Sequence, residues 1–209
     1  MPEGHLRKQI ARRITLSGME RLHPFKSFLF FALLGSTLVF LSMVFLYSIR
    51  VSDITSQRQF QFPKPFILST IILLLSSFSI SKAVQAYKDD AVRSLQIQLL
   101  ITTALALVFG AFQLAGWIQL IEAGVFANAK STVTFLYIIT GFHLLHVCAG
   151  FVGLVYLNYK AANLSGDLVR SLLYFSDKRE KTKIELMAIF WHYIDFLWLC
   201  LFCMFLYTL

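Results

Sequence analysis

The sequence predicts an all-α integral membrane protein with five transmembrane helices, and three observations support this prediction. The 209 residues are 57% hydrophobic and only 14% charged, with a mean hydropathy of +0.69, whereas soluble domains are usually richer in charge. Five apolar runs are each long enough to cross a bilayer, which takes about 20 helical residues. The runs are continuous rather than alternating, so a half-buried sheet is not favoured.

Prolines and polar residues mark the limits of the predicted spans. Pro24 precedes the first run, and Pro63 and Pro65 precede the second, where proline is tolerated because the first N–H groups of a helix have no intrahelical partner. Residues 1–24 contain several arginines in a mixed pattern and are predicted to form a basic cytoplasmic arm, with a short surface helix on anionic lipid as the alternative. They are not expected to be a secretory signal, because the apolar run after them is too long. Within the transmembrane domain, 25–209, the predicted spans are 25–49, 66–86, 95–121, 133–157 and 184–208.

The distribution of lysine and arginine predicts the orientation of the spans. With the N-terminus in the cytoplasm, fifteen of these residues fall in cytoplasmic regions and only four outside, namely Arg50, Arg58, Lys64 and Lys130. Cytoplasmic loops of membrane proteins contain the excess of lysine and arginine. The sequence therefore predicts that the N-terminus is inside and the C-terminus outside.

Charged residues between the spans are expected to be solvated. The longest cytoplasmic loop, 158–183, contains the run SDKREKTK, and a shorter one contains Asp89 and Asp90. All three cysteines fall within apolar runs: Cys148, Cys200 and Cys203. They are expected to be small buried thiols, and the C-x-x-C spacing of the last two is only a weak metal or redox signal.

Ionisable residues within spans are rare and usually face the interior of a bundle, and here they are concentrated in the last two spans. Spacings of three and four place one set on a single face of the fourth span: His143, His146, Gly150 and Gly153. The two glycines permit the close approach of another helix. The last span presents a second set, with tryptophans beside it: Glu185, His192, Asp195, Trp191 and Trp198.

Three interpretations of these polar residues are open. At about 1.5 Å per residue, His146 and Asp195 lie at matched depths of roughly 17 Å, so the antiparallel spans can bring them together. Because unpartnered polar groups cost several kcal/mol in lipid, a polar cluster that locks the two helices together is favoured. Proton handling by Asp195 or Glu185 comes second. Metal or haem binding is least favoured, because the carboxylates typical of di-metal bundles are missing.

Two motifs closely resemble subunit III of the haem–copper terminal oxidases. The stretch GFHLLHV, 141–147, is similar to that family's penultimate-helix motif G-[FT]-H-G-L-H-V. The stretch IELMAIFWHYIDFLWLCLF, 184–202, is similar to the last-helix motif W-H-[FY]-x-D-x-x-W-[LI], with a Glu six residues before the first Trp. A weaker resemblance extends to LSTIILLLSS, 68–77, and to Gln113. Five spans with the N-terminus inside fit the short form of the family, which lacks the first two of seven helices.

The resemblance implies a non-catalytic accessory subunit of a proton-pumping oxidase that reduces O₂ to water in aerobic respiration. Family members carry no haem, copper or other metal site of their own; those cofactors belong to the partner catalytic subunits. The implied roles are stabilisation of subunit I, support of proton uptake and phospholipid binding. The implied partners are subunit I mainly, then subunits II and IV, with cytochrome c or quinol reached through other subunits and a respiratory supercomplex around them. A bacterial inner membrane is the implied location, and no nucleic acid is expected.

Three positions depart from the family pattern. Where family members have a Ser-Glu pair, a Leu-Glu-x-Pro loop and a Gln-x-x-Glu-Tyr segment, the chain has Thr37, Lys64 and Gly116 in place of the acids. Any proton-linked role of those acids is therefore in question here. Two other function classes stay open: a related five-helix subunit of a nitric oxide reductase, and an independent small transporter. A transporter would be expected to have broken helices at mid-membrane.

Overall fold

A computed structural model of the chain describes residues 24–51, 64–122, 132–164 and 168–208. The predicted arm, apart from Pro24, lies outside these residues, as do Arg58, Lys130 and Pro63. Within the described residues there are six helices and no strand. Their bounds are α1 Pro24–Val51, α2 Lys64–Lys88, α3 Val92–Glu122, α4 Thr132–Ala162, α5 Leu168–Ser176 and α6 Lys178–Thr208.

Five of these helices are long and apolar enough to cross a membrane, which confirms the all-α class and the five spans. The helices extend beyond the predicted spans, above all at the loop 158–183. There α4 continues to Ala162, α6 already begins at Lys178, and α5 lies between them. Hydropathy marks where a segment enters lipid, whereas a helix continues for as long as its backbone hydrogen bonds are made. Much of the predicted loop is therefore helical.

Contacts divide the chain into one compact unit up to Leu38 and a second from Val39 to Leu209. The described part of the first unit is the start of α1, where Phe28, Phe30 and Phe31 are exposed. In the second unit α2 packs on α3, α3 on α4, and α6 on both α2 and α4. Large apolar side chains such as Phe78, Leu100 and Phe196 are exposed on these helices, as expected of surfaces that face lipid.

The turn between α2 and α3 is built around Asp90. Its φ of 55° lies in the left-handed region, which residues other than glycine rarely adopt. The N–H of Ala91 donates to the carbonyl of Ala86 at 2.9 Å, five residues back, as at the C-terminal end of many helices. Asp89 and Asp90 are exposed, so the solvated turn predicted from the sequence is present.

Hydrogen bonds between side chains fix α3 against the antiparallel α4. The indole N–H of Trp117 donates to the hydroxyl of Thr140 at 3.1 Å. At the other end of the pair, the side-chain amide of Asn158 donates to Thr103 Oγ1 at 2.7 Å. Gln96 donates to a carbonyl of α4 at 2.6 Å. These bonds are spaced along the whole interface, so they define the register of the two helices.

The prediction that the cysteines are buried is wrong. Cys148, Cys200 and Cys203 are all exposed on the faces of α4 and α6, and all three thiols are free. Apolar character does not distinguish the inside of a membrane bundle from its outside, because lipid tails are as apolar as the packed interior.

Candidate functional site

The α2–α6 interface contains two matching hydrogen bonds from tryptophans of α6 to hydroxyl groups of α2. The indole N–H of Trp191 donates to Ser76 Oγ at 3.0 Å, and that of Trp198 donates to Thr70 Oγ1 at 3.0 Å. All four side chains are buried. Trp198 follows Trp191 along α6, whereas its partner Thr70 precedes Ser76 along α2, so the two helices are antiparallel.

The hydroxyl groups at this interface can accept because their own protons are already engaged. Ser76 donates to the carbonyl of Leu73 at 2.7 Å, and Thr70 donates to that of Phe66 at 2.8 Å. A hydroxyl has one donor and two acceptor sites, so each oxygen keeps a lone pair for an indole N–H, which can only donate. The hydrogen bonds within α2 thus leave two hydroxyl oxygens able to accept, and α6 supplies two indole N–H donors.

His192 adds a third polar contact between the same two helices. Its Nδ1 lies 2.6 Å from Ser77 Oγ, and its Nε2 lies 3.1 Å from Ser81 Oγ. Ser81 also donates to the carbonyl of Ser77 at 3.1 Å, which uses its only proton. With its proton on Nε2, the neutral ring donates to Ser81 and accepts from Ser77 through Nδ1, so this tautomer satisfies both serines.

The side chains of His143 and Asp195 are buried. Neither ring nitrogen of His143 and neither carboxylate oxygen of Asp195 has a hydrogen-bond partner within the described residues. The ring of His143 instead packs on aromatic neighbours, 5.0 Å from the centroid of Trp198 and 5.9 Å from that of Phe109. Ser77 is the polar group next to Asp195.

The expected contact between His146 and Asp195 is therefore not formed. His146 Nδ1 lies 2.7 Å from the carbonyl of Phe142, one turn back on its own helix, and its ring lies beside Phe40. Equal depth in two antiparallel helices does not determine which way each side chain points. A lock formed jointly by His143, His146, Glu185, His192 and Asp195 stays a prediction. Glu185 is half-buried on α6.

Two glycines of α4 lie directly against side chains of α6. A Cβ added at Gly150 would stand 2.9 Å from the ring of Trp191, and one at Gly153 would stand 2.9 Å from the sulfur of Met187. Real Cβ atoms are almost never that close to a neighbour, so Gly150 is required beside the rigid indole ring, whereas the flexible side chain of Met187 can move away from a Cβ at position 153. Trp191 consequently packs on α4 with its ring while it donates to α2 with its indole N–H.

At Gly116, where the sequence departs from the family pattern, the side chain of another residue fills the space. A Cβ at that position would stand 2.6 Å from the ring of Phe66, which is buried. One turn earlier on α3, Gln113 donates to Ser69 Oγ at 3.1 Å. The ring of Phe66 therefore occupies the space beside α3 that a side chain at position 116 would need.

Opposite charges meet where α4 ends and α6 begins. Glu180 is buried, and its Oε1 lies 2.5 Å from the ammonium of Lys160 and 2.8 Å from that of Lys183. The prediction that the whole SDKREKTK run is solvated is thus wrong at Glu180, because neighbouring lysines compensate its burial. Burial and the nearby Glu180 also raise the pKa of Tyr174 on α5, so this phenol stays neutral.

Sequence reasoning overlooked the hydroxyl groups of α2. Thr70 and Ser77 are seven residues apart, and so are Ser69 and Ser76. Each pair therefore lies on one face of α2, and the two faces are adjacent. Trp191 and Trp198 are also seven residues apart. The two hydroxyls that accept from these indoles, Thr70 and Ser76, are six residues apart. Hydroxyls on α2 at nearly the spacing of the two tryptophans on α6 were the signal that these helices pair.

Within the described residues, no three His, Cys, Asp or Glu side chains come together in a group that could hold a metal ion. The chemistry that the arrangement can perform is recognition between helices. Its donors and acceptors are paired across α2 and α6, and its aromatic rings fill the space around them.

Comparisons with known proteins agree with this architecture. The sequence model of the family described as cytochrome c oxidase subunit III matches residues 25–208. A cytochrome c oxidase subunit 3 from Thermostichus vulcanus is 30% identical over 65% of this chain and 61% of its own length. A probable quinol oxidase subunit 3 from Staphylococcus saprophyticus is 26% identical over 68% of the chain and 66% of its own length. A cytochrome bo(3) ubiquinol oxidase subunit 3 from Buchnera aphidicola is 24% identical, over 81% of the chain and 80% of its own length. The chain thus spans less than two thirds of the first two relatives.

Proposed function

Because the chain belongs to the cytochrome c oxidase subunit III family, we propose that it is a non-catalytic accessory subunit of a proton-pumping haem–copper terminal oxidase. In this proposal the partner subunits hold haem and copper and reduce O₂ to water with electrons from cytochrome c or quinol. This chain packs against the catalytic subunit I and stabilises it. Subunits II and IV are the further neighbours, within a bacterial inner membrane.

The pairing of polar groups at the α2–α6 interface is the observation that supports an accessory role. Trp191 and Trp198 donate to Ser76 and Thr70, and His192 contacts two further serines. These groups bond to another helix of the same chain, whereas a substrate site would present them to a cavity. Side chains that are committed to bonds between helices favour a rigid scaffold.

Exposed apolar side chains supply the surfaces for partners. On α2 and α3 these include Ile71, Phe78, Leu100 and Leu107. We propose that part of this surface packs against subunit I and that lipid covers the rest. Van der Waals packing drives such association, since lipid tails compete for the same apolar surface.

Proton uptake is the finer role with the least support. The chain has Thr37, Lys64 and Gly116 where family members have acids, and Phe66 fills the space at the last of these. Among the described residues between α2 and α3 and between α5 and α6, the exposed carboxylates that could contribute are Asp89, Asp90 and Asp177. We therefore place structural stabilisation of the complex first.

Purification through a tag on this subunit tests the proposal. Solubilised gently from its own membrane, the wild-type chain should retain partner subunits with haem absorbance and copper. The double variant Trp191→Phe with Trp198→Phe should retain several-fold less, because two hydrogen bonds worth about 1 kcal/mol each are lost. Trp117→Phe removes the same atoms from the α3–α4 contact and is the matched control, with a smaller expected loss.

The metals and partners that copurify with the chain distinguish the proposed function from its two alternatives. Haem with non-haem iron and without copper would assign the chain to a nitric oxide reductase. A colourless protein without partners would contradict the accessory role and favour an independent transporter. Turnover of the purified complex with reduced cytochrome c or with quinol would identify the electron donor.

A further inference from the structure

The short helix α5, Leu168–Ser176, exposes its apolar side. Leu172 is 61% exposed, Leu173 is 67% exposed and Val169 is 66% exposed, whereas Tyr174 is only 6% exposed. Spacings of three and four place the three exposed residues on one face of the helix. We call these three residues the α5 stripe.

The orientation of α5 is fixed by Tyr87 at the end of α2. The phenol O–H of Tyr87 is directed at backbone carbonyls at the end of α5, with the carbonyl of Tyr174 at 2.7 Å and that of Asp177 at 3.3 Å. Its ring centroid lies 5.5 Å from that of Tyr174 and 5.1 Å from that of Phe175. Because these contacts hold one side of α5 against the bundle, the α5 stripe faces away from it.

The position of α5 in the chain places it at the boundary of the membrane. It lies between α4, which ends at Ala162, and α6, which begins at Lys178, and both of these helices have the length and composition of spans. A short helix that joins two span ends lies near the depth where hydrocarbon meets headgroups. The last turns of α4 also expose Val155 and Tyr159, so apolar surface is present on the span beside it.

This end of the second unit is positively charged. In the described residues of 82–93, 160–164 and 168–185, nine side chains are Lys or Arg and five are Asp or Glu, which leaves an excess of basic charge. Glu180 is neutralised by Lys160 and Lys183. Lys178, Arg179 and Lys181 are exposed immediately after α5. Each basic residue close to an anionic membrane surface adds to the electrostatic attraction.

We propose that α5 is an interfacial helix that inserts the α5 stripe into a leaflet containing anionic phospholipid. The exposed basic residues at the start of α6 then lie among the headgroup phosphates. A narrow apolar face combined with basic residues is the pattern of helices that lie in the plane of a membrane. This binding surface lies outside the α2–α6 interface.

Nitroxide labels on the full-length chain test the proposal. Leu172→Cys is labelled after Cys148, Cys200 and Cys203 have been replaced by serine, and the chain is reconstituted into vesicles of phosphatidylcholine with phosphatidylglycerol. Power saturation then compares collisions with oxygen, which concentrates in hydrocarbon, and with a water-soluble nickel chelate. Asp89→Cys, on the exposed turn at the same end, is the matched control, and Leu173→Cys is a second test position.

The label at Leu172 should collide more often with oxygen than with nickel, and the label at Asp89 should show the reverse. The preference for oxygen should weaken when phosphatidylglycerol is left out. A Leu172 label as open to nickel as the control would overturn the proposal, and so would a label shielded from both agents, which would indicate contact with a second copy of this chain. Equal insertion with and without phosphatidylglycerol would overturn the part concerning anionic lipid. The vesicles contain only this chain, so failure here is distinguishable from failure of the proposed function.

Discussion

The effect of changing a single residue in this chain depends on the side chains that it contacts. Gly110 and Gly116 lie on the same helix, yet nothing lies within 4 Å of a Cβ added at Gly110, whereas one at Gly116 would stand 2.6 Å from Phe66. In the sequence alone, glycine at position 116, where family members have glutamate, indicates the loss of an acidic group. The structure adds that this glycine makes room for the buried ring of Phe66, which would have to move if a Cβ were added.

We expect Gly116→Ala to lower the free energy of unfolding by about 1–3 kcal/mol, because overpacking forces the Phe66 ring or the helix to move. Gly110→Ala should be neutral or slightly stabilising, since alanine is the better helix former by about 1 kcal/mol. Thermal unfolding of the detergent-solubilised chain measures both. Equal midpoints for the two variants would contradict this account of Gly116.

His192 provides a second comparison at the residue scale. Ser77→Ala removes the hydroxyl 2.6 Å from its Nδ1 and should cost about 1 kcal/mol. Ser48→Ala is the control, because the hydroxyl of Ser48 is exposed and donates to the carbonyl of Val44 on its own helix. The same unfolding measurement applies, and an equal loss from both variants would argue against a hydrogen bond between the helices.

At the scale of elements, α6 is bound on two sides by different means. Toward α2 it is bound by indole and imidazole hydrogen bonds, and toward α4 it packs closely against glycines. Membrane helices associate through both kinds of contact, since the hydrophobic effect does not act between helices in lipid. The side chain that takes part in both is Trp191.

Gly150→Ala should therefore affect both neighbours of α6. The added methyl group would stand 2.9 Å from the buried ring of Trp191, so we expect a loss of stability of about 1–3 kcal/mol and a weaker bond to Ser76. Gly141→Ala on the same helix is the matched control, with its nearest neighbour at 3.9 Å. Unfolding midpoints and tryptophan fluorescence report the two effects. An unchanged emission spectrum with Gly150→Ala would contradict the coupling through Trp191.

At the scale of the whole molecule, the distribution of charge predicts the orientation in the membrane. Fifteen lysines and arginines lie on one side of the predicted spans and four on the other. We propose on this basis that the ends of α2 and α4 face the cytoplasm, together with α5 and the start of α6.

Fusions to alkaline phosphatase, which is active only outside the cytoplasm, measure the orientation. A fusion after Leu209 should be active, and a fusion after Lys88 should be inactive. The opposite pattern would reverse the topology and move the basic end of α6 to the outer side. Equal expression of the two fusions, checked by immunoblotting, is the required control.

The sequence by itself determined the all-α class, the five spans and the family. Each of these depends on local composition or on motifs that are contiguous in the chain, such as GFHLLHV and the segment around Trp191 and Trp198. It also identified the glycines of α4, because spacing along one helix is enough to place residues on a common face.

Only the tertiary structure decided which helix each polar side chain meets. The sequence predicts that His146 and Asp195 pair, yet in the structure His146 contacts the carbonyl of Phe142 on its own helix. The histidine that reaches another helix is His192, which contacts Ser77 and Ser81 on α2. Depth and helical face leave the direction of approach undetermined, and hydropathy cannot order the helices because lipid and core are equally apolar. Because lipid and core are equally apolar, hydropathy also did not predict that the cysteines are exposed. The burial of Glu180 depends on two lysines that the fold brings near it.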